Sequence, residues 1–225
     1  MLNQYKNIIF DLDGTLVNSS EEVLNCFAKA FEKANYPLDK TKLTSDVIGP
    51  PLRQILQTLA PELTDEEKIS EITSNFRQIY DYDENDISVM YDGIYDLLNT
   101  LKKEGHKLFI ATFKPQIPTM RIVKMFEIEH LFEDIYTIDK FGKKIPKEEM
   151  ITNIISKYNL QKNETVMIGD AASDMTAAKG AGIDGIGVLW GYGSDKEPLK
   201  QHADYIVENT TELRNLWNKG KISAL

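Results

Sequence analysis

The strongest constraint on this chain is a short apolar run that ends in acid. Asn7-Ile8-Ile9-Phe10 is rich in β-branched residues and runs directly into Asp11-Leu12-Asp13-Gly14-Thr15. That pattern predicts a buried strand feeding a tight, glycine-containing acidic turn. Such a strand needs partners, and the next runs of the same character begin only at residue 107. They are Lys107-Leu108-Phe109-Ile110-Ala111-Thr112, a short run from Asp134 to Ile138, Thr165-Val166-Met167-Ile168, Gly185-Ile186-Gly187-Val188-Leu189 and Tyr205-Ile206-Val207. Helical patterns separate them, so the strands are joined by right-handed crossovers into a parallel sheet. The expected fold class is therefore α/β, with a doubly wound parallel sheet of Rossmann-like form.

The chain between the first strand and its partners reads only as helix. Val23, Phe27, Ala30, Phe31 and Ala34 recur at helical spacing, and Ile69, Ile72, Phe76, Ile79 and Tyr80 make a second stripe. Ser19 with Glu22, and Thr64 with Glu67, have the spacing of capping boxes. Thr211 is expected to cap the last helix. Val47-Ile48-Gly49-Pro50-Pro51-Leu52-Arg53 reads as a turn entering a helix with proline in its first turn, and residues 81–86 as an acidic, solvated linker. Two domains are expected: 1–17 with 89–225 as the α/β core, and 18–88 as an inserted α-helical cap. Phe27, Phe31 and Phe76 belong to a helical core, and His106 and His130 to the surface.

Composition excludes several partners. Lys and Arg total 26 against 35 for Asp and Glu, a net charge of −9. A polyanion is repelled by such a surface as a whole, so neither a nucleic-acid polymer nor an anionic membrane is an expected partner. A small anionic substrate remains compatible, because one site can be locally positive. Cys26 is the single cysteine, so no internal disulfide forms, which fits a reducing compartment. No segment approaches the roughly 18 apolar residues needed to span a bilayer, and the start carries no signal-like stretch. A cytoplasmic protein, monomer or homodimer, is expected.

Polar residues gather where the predicted strands end: Asp11 and Asp13 after the first, Thr112 at the end of the second, Asp170 after Gly169. In open α/β sheets ligands bind beyond the carboxyl ends of the strands, so these groups converge on one crevice. Carboxylates from two strands, a hydroxyl and backbone amides suit Mg²⁺ and a phosphoryl group, since Mg²⁺ prefers oxygen ligands. A nearby lysine would balance the phosphate charge.

Asp11-Leu12-Asp13-Gly14-Thr15-Leu16-Val17 resembles the first motif of the haloacid dehalogenase superfamily of phosphohydrolases. Thr112 resembles the second motif, and Gly169-Asp170-Ala171-Ala172-Ser173-Asp174 the fourth, in the same order along nearly the whole chain. Gly49-Pro50-Pro51-Leu52 and Gly187-Val188-Leu189-Trp190-Gly191-Tyr192-Gly193 are similar to the phosphoglycolate-phosphatase-like branch.

The resemblance implies Asp11 as the nucleophile that forms an aspartyl phosphate and Asp13 as general acid and then base. It implies Mg²⁺ held by Asp11, the carbonyl of Asp13 and Asp170, with Asp174 behind these ligands. Thr112 and the amides of Leu12, Asp13 and Phe113 would bind phosphoryl oxygens. The third motif, a lysine, falls on Lys147 at the start of a helix or on Lys143; the pattern favours Lys147. Arg53 either reads a substrate carboxylate or second phosphate from the cap or is an exposed helix arginine. The implied activity is Mg²⁺-dependent phosphomonoester hydrolysis, phosphoglycolate-phosphatase-like, on a small phosphorylated substrate. A 5′-nucleotidase, a sugar-phosphate phosphatase, a sugar phosphomutase and a phosphate-binding regulator without turnover are the alternatives.

Overall fold

The computed structural model describes residues 4–49, 52–82, 86–192 and 196–218. Its residues divide into two compact units. One comprises residues 1–18, 90–191 and 195–225, and the other residues 19–89 and 192–194. Two short strands, β2 (Val17–Asn18) and β3 (Val89–Met90), mark where the chain passes from one unit to the other and back.

The first unit is built on a six-stranded sheet. Its strands are β1 (Asn7–Phe10), β4 (Lys107–Thr112), β5 (Asp134–Thr137), β6 (Thr165–Gly169), β7 (Asp184–Val188) and β8 (Tyr205–Val207), in the order β5-β4-β1-β6-β7-β8. Every neighbouring pair is parallel. The strands are short apolar runs because both faces are covered. Alternate residues point to opposite faces. Ile8, Phe10, Leu108, Ile110, Val166 and Ile168 pack with α4 (Ile94–Lys103), α5 (Gln116–Met125) and α9 (Thr210–Asn218). Ile9, Phe109, Ala111 and Met167 pack with α6 (Lys147–Tyr158), α7 (Ala172–Ala181) and α8 (Glu197–His202) on the other face. This is the expected doubly wound α/β sheet, with β1 near its centre.

The second unit consists of helices α1 (Ser20–Lys33), α2 (Leu52–Leu59) and α3 (Glu66–Tyr82) around their own core. The Phe27 and Phe76 rings lie 4.3 Å apart between centroids, and Phe76 stacks on Tyr80 at 5.3 Å. Such pairs add about 0.5–1.5 kcal/mol to the burial of their area. Phe27, Phe31 and Phe76 are core residues, as their spacing predicts.

Three helix starts differ from expectation. Ser19 makes no capping bond; its N–H donates to the Tyr192 hydroxyl at 2.6 Å, and Glu22 is buried, accepting from the Cys26 thiol at 3.3 Å. Asp65 rather than Thr64 caps α3, accepting from the Glu67 N–H at 2.9 Å. Asn209 rather than Thr211 caps α9, accepting from the Glu212 N–H at 2.9 Å. In both cases an Asx residue stands immediately before the first helical residue, Glu66 or Thr210, where its short side chain reaches the first-turn amides. His106 is half-buried, its ring set edge-on to Trp217 at 6.3 Å, whereas His130 is exposed. Asp81 and Tyr82 still belong to α3. Pro50, Pro51, Gly193 and residues 83–85 of the expected linker lie outside the described residues. Among the described residues no helix is long and apolar enough to cross a membrane.

Candidate active site

The carboxyl ends of β1, β4 and β6 lie side by side because the strands pair in register, Phe10 against Ile110 and Ile168. Beyond Phe10 the ladder continues for one bond, Asp11 N–H to Ile168 C=O at 2.9 Å, so Asp11 leaves the sheet on a fixed trajectory. The chain then turns back on itself, with the Gly14 N–H donating to the Val17 carbonyl at 2.8 Å and the Leu16 N–H to the Leu12 carbonyl at 2.9 Å. Gly14 has φ +77°, and a Cβ there would sit 2.2 Å from an Asp170 carboxylate oxygen. A Cβ on Gly191 would meet the same oxygen at 2.2 Å. Asp170 is thus walled by two backbones that approach closely only because they carry no side chains. Thr15 Oγ1 donates weakly to Asp170 Oδ1 at 3.4 Å, and Trp190 Nε1 ties the Thr15 carbonyl at 3.1 Å.

Lys147 is the first residue of α6, preceded by Pro146, whose fixed φ suits a helix entry. Its side chain is 2% exposed and reaches two carboxylates. Nζ lies 2.5 Å from Asp174 Oδ1 and 3.1 Å from Asp11 Oδ1. Asp174, fully buried in the first turn of α7, also accepts the Ala171 N–H at 3.1 Å through Oδ2. Lys143 and Lys144 are exposed. Of the two lysines that the pattern left open, Lys147 is the one brought to the carboxylates.

The electrostatics follow from burial. Loss of hydration pushes the Asp11 carboxyl up to about 6; Lys147 opposes this, and the negative charges of Asp174 and Asp13 reinforce it. Burial disfavours the Lys147 ammonium, but Asp11 and Asp174 outweigh that and hold it charged more firmly than a lysine in water. One oxygen each from Asp11, Asp170 and Asp174 lie within 4.8 Å of one another. Asp11 Oδ1 is buried, and its contact with Lys147 is an ion pair without an aligned hydrogen bond. Hard oxygen donors with an under-satisfied buried carboxylate suit a divalent cation such as Mg²⁺. Asp174 is already committed to Lys147 and Ala171, so Asp11 and Asp170 are the better-placed donors.

Thr112 ends β4 and is buried, its hydroxyl accepting the Lys114 N–H at 3.2 Å. Phe113 is 43% exposed, and its ring centroid lies 4.9 Å from Lys147 Nζ, a cation–π contact beside the carboxylates. The Leu12 side chain is buried, and its backbone N–H bonds the Asp11 carboxylate. Arg53 lies on α2 in the helical unit, exposed and forked onto Glu66, with Nη1 to Oε2 at 2.9 Å.

Sequence reasoning missed Lys114. Its side chain is 2% exposed, and Nζ lies 2.9 and 3.1 Å from the two Asp13 oxygens. The only signal was its spacing: Lys114 follows Thr112 by two, the same offset as Asp13 from Asp11, but it lies in a bend beyond β4, where strand alternation does not aim a side chain.

The haloacid dehalogenase-like hydrolase family model matches residues 8–188, most of the chain. The chain belongs to that family, and it is an enzyme of the phosphatase class. It is 26% identical to the pyrophosphatase PpaX of Halalkalibacterium halodurans over 95% of this chain and 97% of that one. It is 33% identical to a 5′-nucleotidase of Pseudomonas aeruginosa over 88% and 89% of the two chains. A crystal structure described as a predicted phosphoglycolate phosphatase from Haemophilus somnus superposes with a TM-score of 0.84 at 25% identity, covering 95% of this chain and 98% of that one.

Proposed function

We propose that this chain is a Mg²⁺-dependent phosphomonoesterase acting through an aspartyl phosphate on Asp11. The observation that carries the reading is the buried Lys147 held between Asp11 and Asp174, with Asp13 two residues along the same turn. A trianionic transition state needs positive charge in a dry site, and a lysine fixed by two carboxylates supplies it without reorganising.

In the first step an Asp11 carboxylate oxygen attacks phosphorus. The bond to the leaving oxygen breaks as Asp13 delivers a proton to it. In the second, Asp13 takes a proton from water, whose oxygen attacks phosphorus and frees Asp11 and inorganic phosphate. Thr112 and the amides of Leu12, Asp13 and Phe113 hold the non-reacting oxygens, and Asp174 aims Lys147 at them. Mg²⁺, held by Asp11, the Asp13 carbonyl and Asp170, would neutralise phosphoryl charge and keep Asp11 ionised.

Residues 1–17 and 89–225 are assigned to this chemistry, and 18–88 to a cap that selects substrate through Arg53. The substrate class is a small anionic phosphate ester, phosphoglycolate first. The identity with a named 5′-nucleotidase favours nucleoside monophosphates as the second reading. The test is release of inorganic phosphate from phosphoglycolate, nucleotides and sugar phosphates, with Mg²⁺ and with a chelator. Metal-dependent release selective for one ester is expected. Release unaffected by the chelator would overturn the metal assignment, and none from any ester would overturn the hydrolase reading in favour of a mutase or a binder.

A further inference from the structure

Lys114 has no part in the chemistry assigned above, yet its ammonium is as buried as that of Lys147. Burial strips a cation of hydration, so a buried ammonium needs a fixed and close partner. Asp13 is such a partner, and its own side chain is 25% exposed. The contacts at 2.9 and 3.1 Å straddle both carboxylate oxygens.

The meeting is set by the sheet. Phe10 and Ile110 are register partners on neighbouring parallel strands, so the chain three residues beyond one and four beyond the other reaches the same level. The base of Lys114 is also held, by its N–H bond to Thr112 Oγ1 and by Pro115, the N-cap of α5, with φ −63°.

We propose that Lys114 is a positioning residue that holds the Asp13 carboxylate where the departing alcohol oxygen forms. The proposal rests on the reading of Asp13 as proton donor. It makes a demand that a merely structural lysine does not. Protonation matters little for an acidic leaving group such as p-nitrophenol and much for an alkyl alcohol, whose alkoxide cannot depart alone.

The test compares p-nitrophenyl phosphate with n-propyl phosphate, at saturating Mg²⁺, for wild type, Asp13→Asn, Lys114→Met, Lys114→Gln and Asp13→Asn combined with Lys114→Met. Asp13→Asn should lower kcat on the alkyl ester about a hundredfold more than on the aryl ester. The Lys114 variants should show the same bias at about tenfold, with inhibition by inorganic phosphate unchanged. Added to Asp13→Asn, Lys114→Met should cost little more, because residues acting as a unit are not additive. Equal losses on both esters, or a full further loss in the double variant, would overturn the proposal while leaving the phosphatase reading intact. An Asp13→Asn variant without leaving-group bias would sink the proton-donor reading and this inference with it. If neither Lys114 variant folds, as judged by circular dichroism, Lys114 is a stability residue and the proposal fails.

Discussion

Helix α6 of the α/β unit begins on a lysine that is 2% exposed and held between two carboxylates, whereas helix α2 of the helical unit carries an arginine that is 56% exposed and held by one. The helical unit is centred on aromatic and aliphatic side chains, while the α/β unit places Asp11, Lys114, Lys147, Asp170 and Asp174 below one-tenth exposure around one crevice. Buried ion pairs are a poor way to stabilise a fold, because desolvation offsets most of the attraction. Their concentration at the carboxyl ends of three strands is what makes this place the candidate active site. The exposed Arg53–Glu66 pair adds little to stability, so the proposed role of Arg53 rests on substrate selection alone.

Several substitutions would break or sharpen this contrast. Asp11→Asn is expected to have the largest effect, a loss of kcat of about 10⁴ or more in phosphate release, because it removes the attacking group itself. Lys147→Met should lower kcat by about 10²–10³. It should also cost about 3–5 kcal/mol in urea unfolding, since Asp11 and Asp174 would be left as uncompensated buried charge. In the helical unit, Phe76→Ala should cost a similar 3–5 kcal/mol through a cavity alone. A comparable loss of kcat under folding conditions would show that the contrast between the units is overdrawn.

A smaller effect separates charge from packing. The Asp11 carboxyl is raised in the fold from 3.8 to about 6. The folded protein therefore holds that proton more tightly than the unfolded chain, and the associated stability is complete below pH 3.8 and lost as pH rises through 6. Metal-free Asp11→Asn should accordingly be about 1–3 kcal/mol more stable than wild type at pH 8 and nearly equal to it at pH 4. Thermal unfolding in a chelator reads this directly, and a constant difference across that range would contradict it. Arg53→Ala should be the mildest change, leaving the melting temperature where it was. Its only expected trace is a higher KM for esters that carry a carboxylate, and an unchanged KM would reduce Arg53 to an exposed helix residue.

The sheet and most of the crevice are legible in sequence for one reason. A strand buried on both faces must be a short apolar run, so the residue that ends the run stands at a known level. Asp11, Thr112 and Asp170 are all found by that rule. Lys147 is harder, because it stands only four positions beyond Lys143; the helix that starts at Lys147 favours it, and its burial appears only in three dimensions. Lys114 is not legible in the same way, because its burial depends on the register of β1 against β4, which joins residues far apart in the chain. The misplaced caps at Thr64 and Thr211 have a local cause, in that Asp65 and Asn209 compete for the same amides over one or two positions.

The place of β1 in the sheet order has a consequence for synthesis. Its two hydrogen-bonding neighbours are β4 and β6, so the first strand made cannot be completed until residue 169 has left the ribosome. At 5–20 residues per second that is a wait of about 8–30 s for Ile8, Ile9 and Phe10. During that interval β4 can pair with one edge of β1, but the other edge, which β6 will cover, stays open, leaving Ile8, Ile9 and Phe10 on an unfinished sheet.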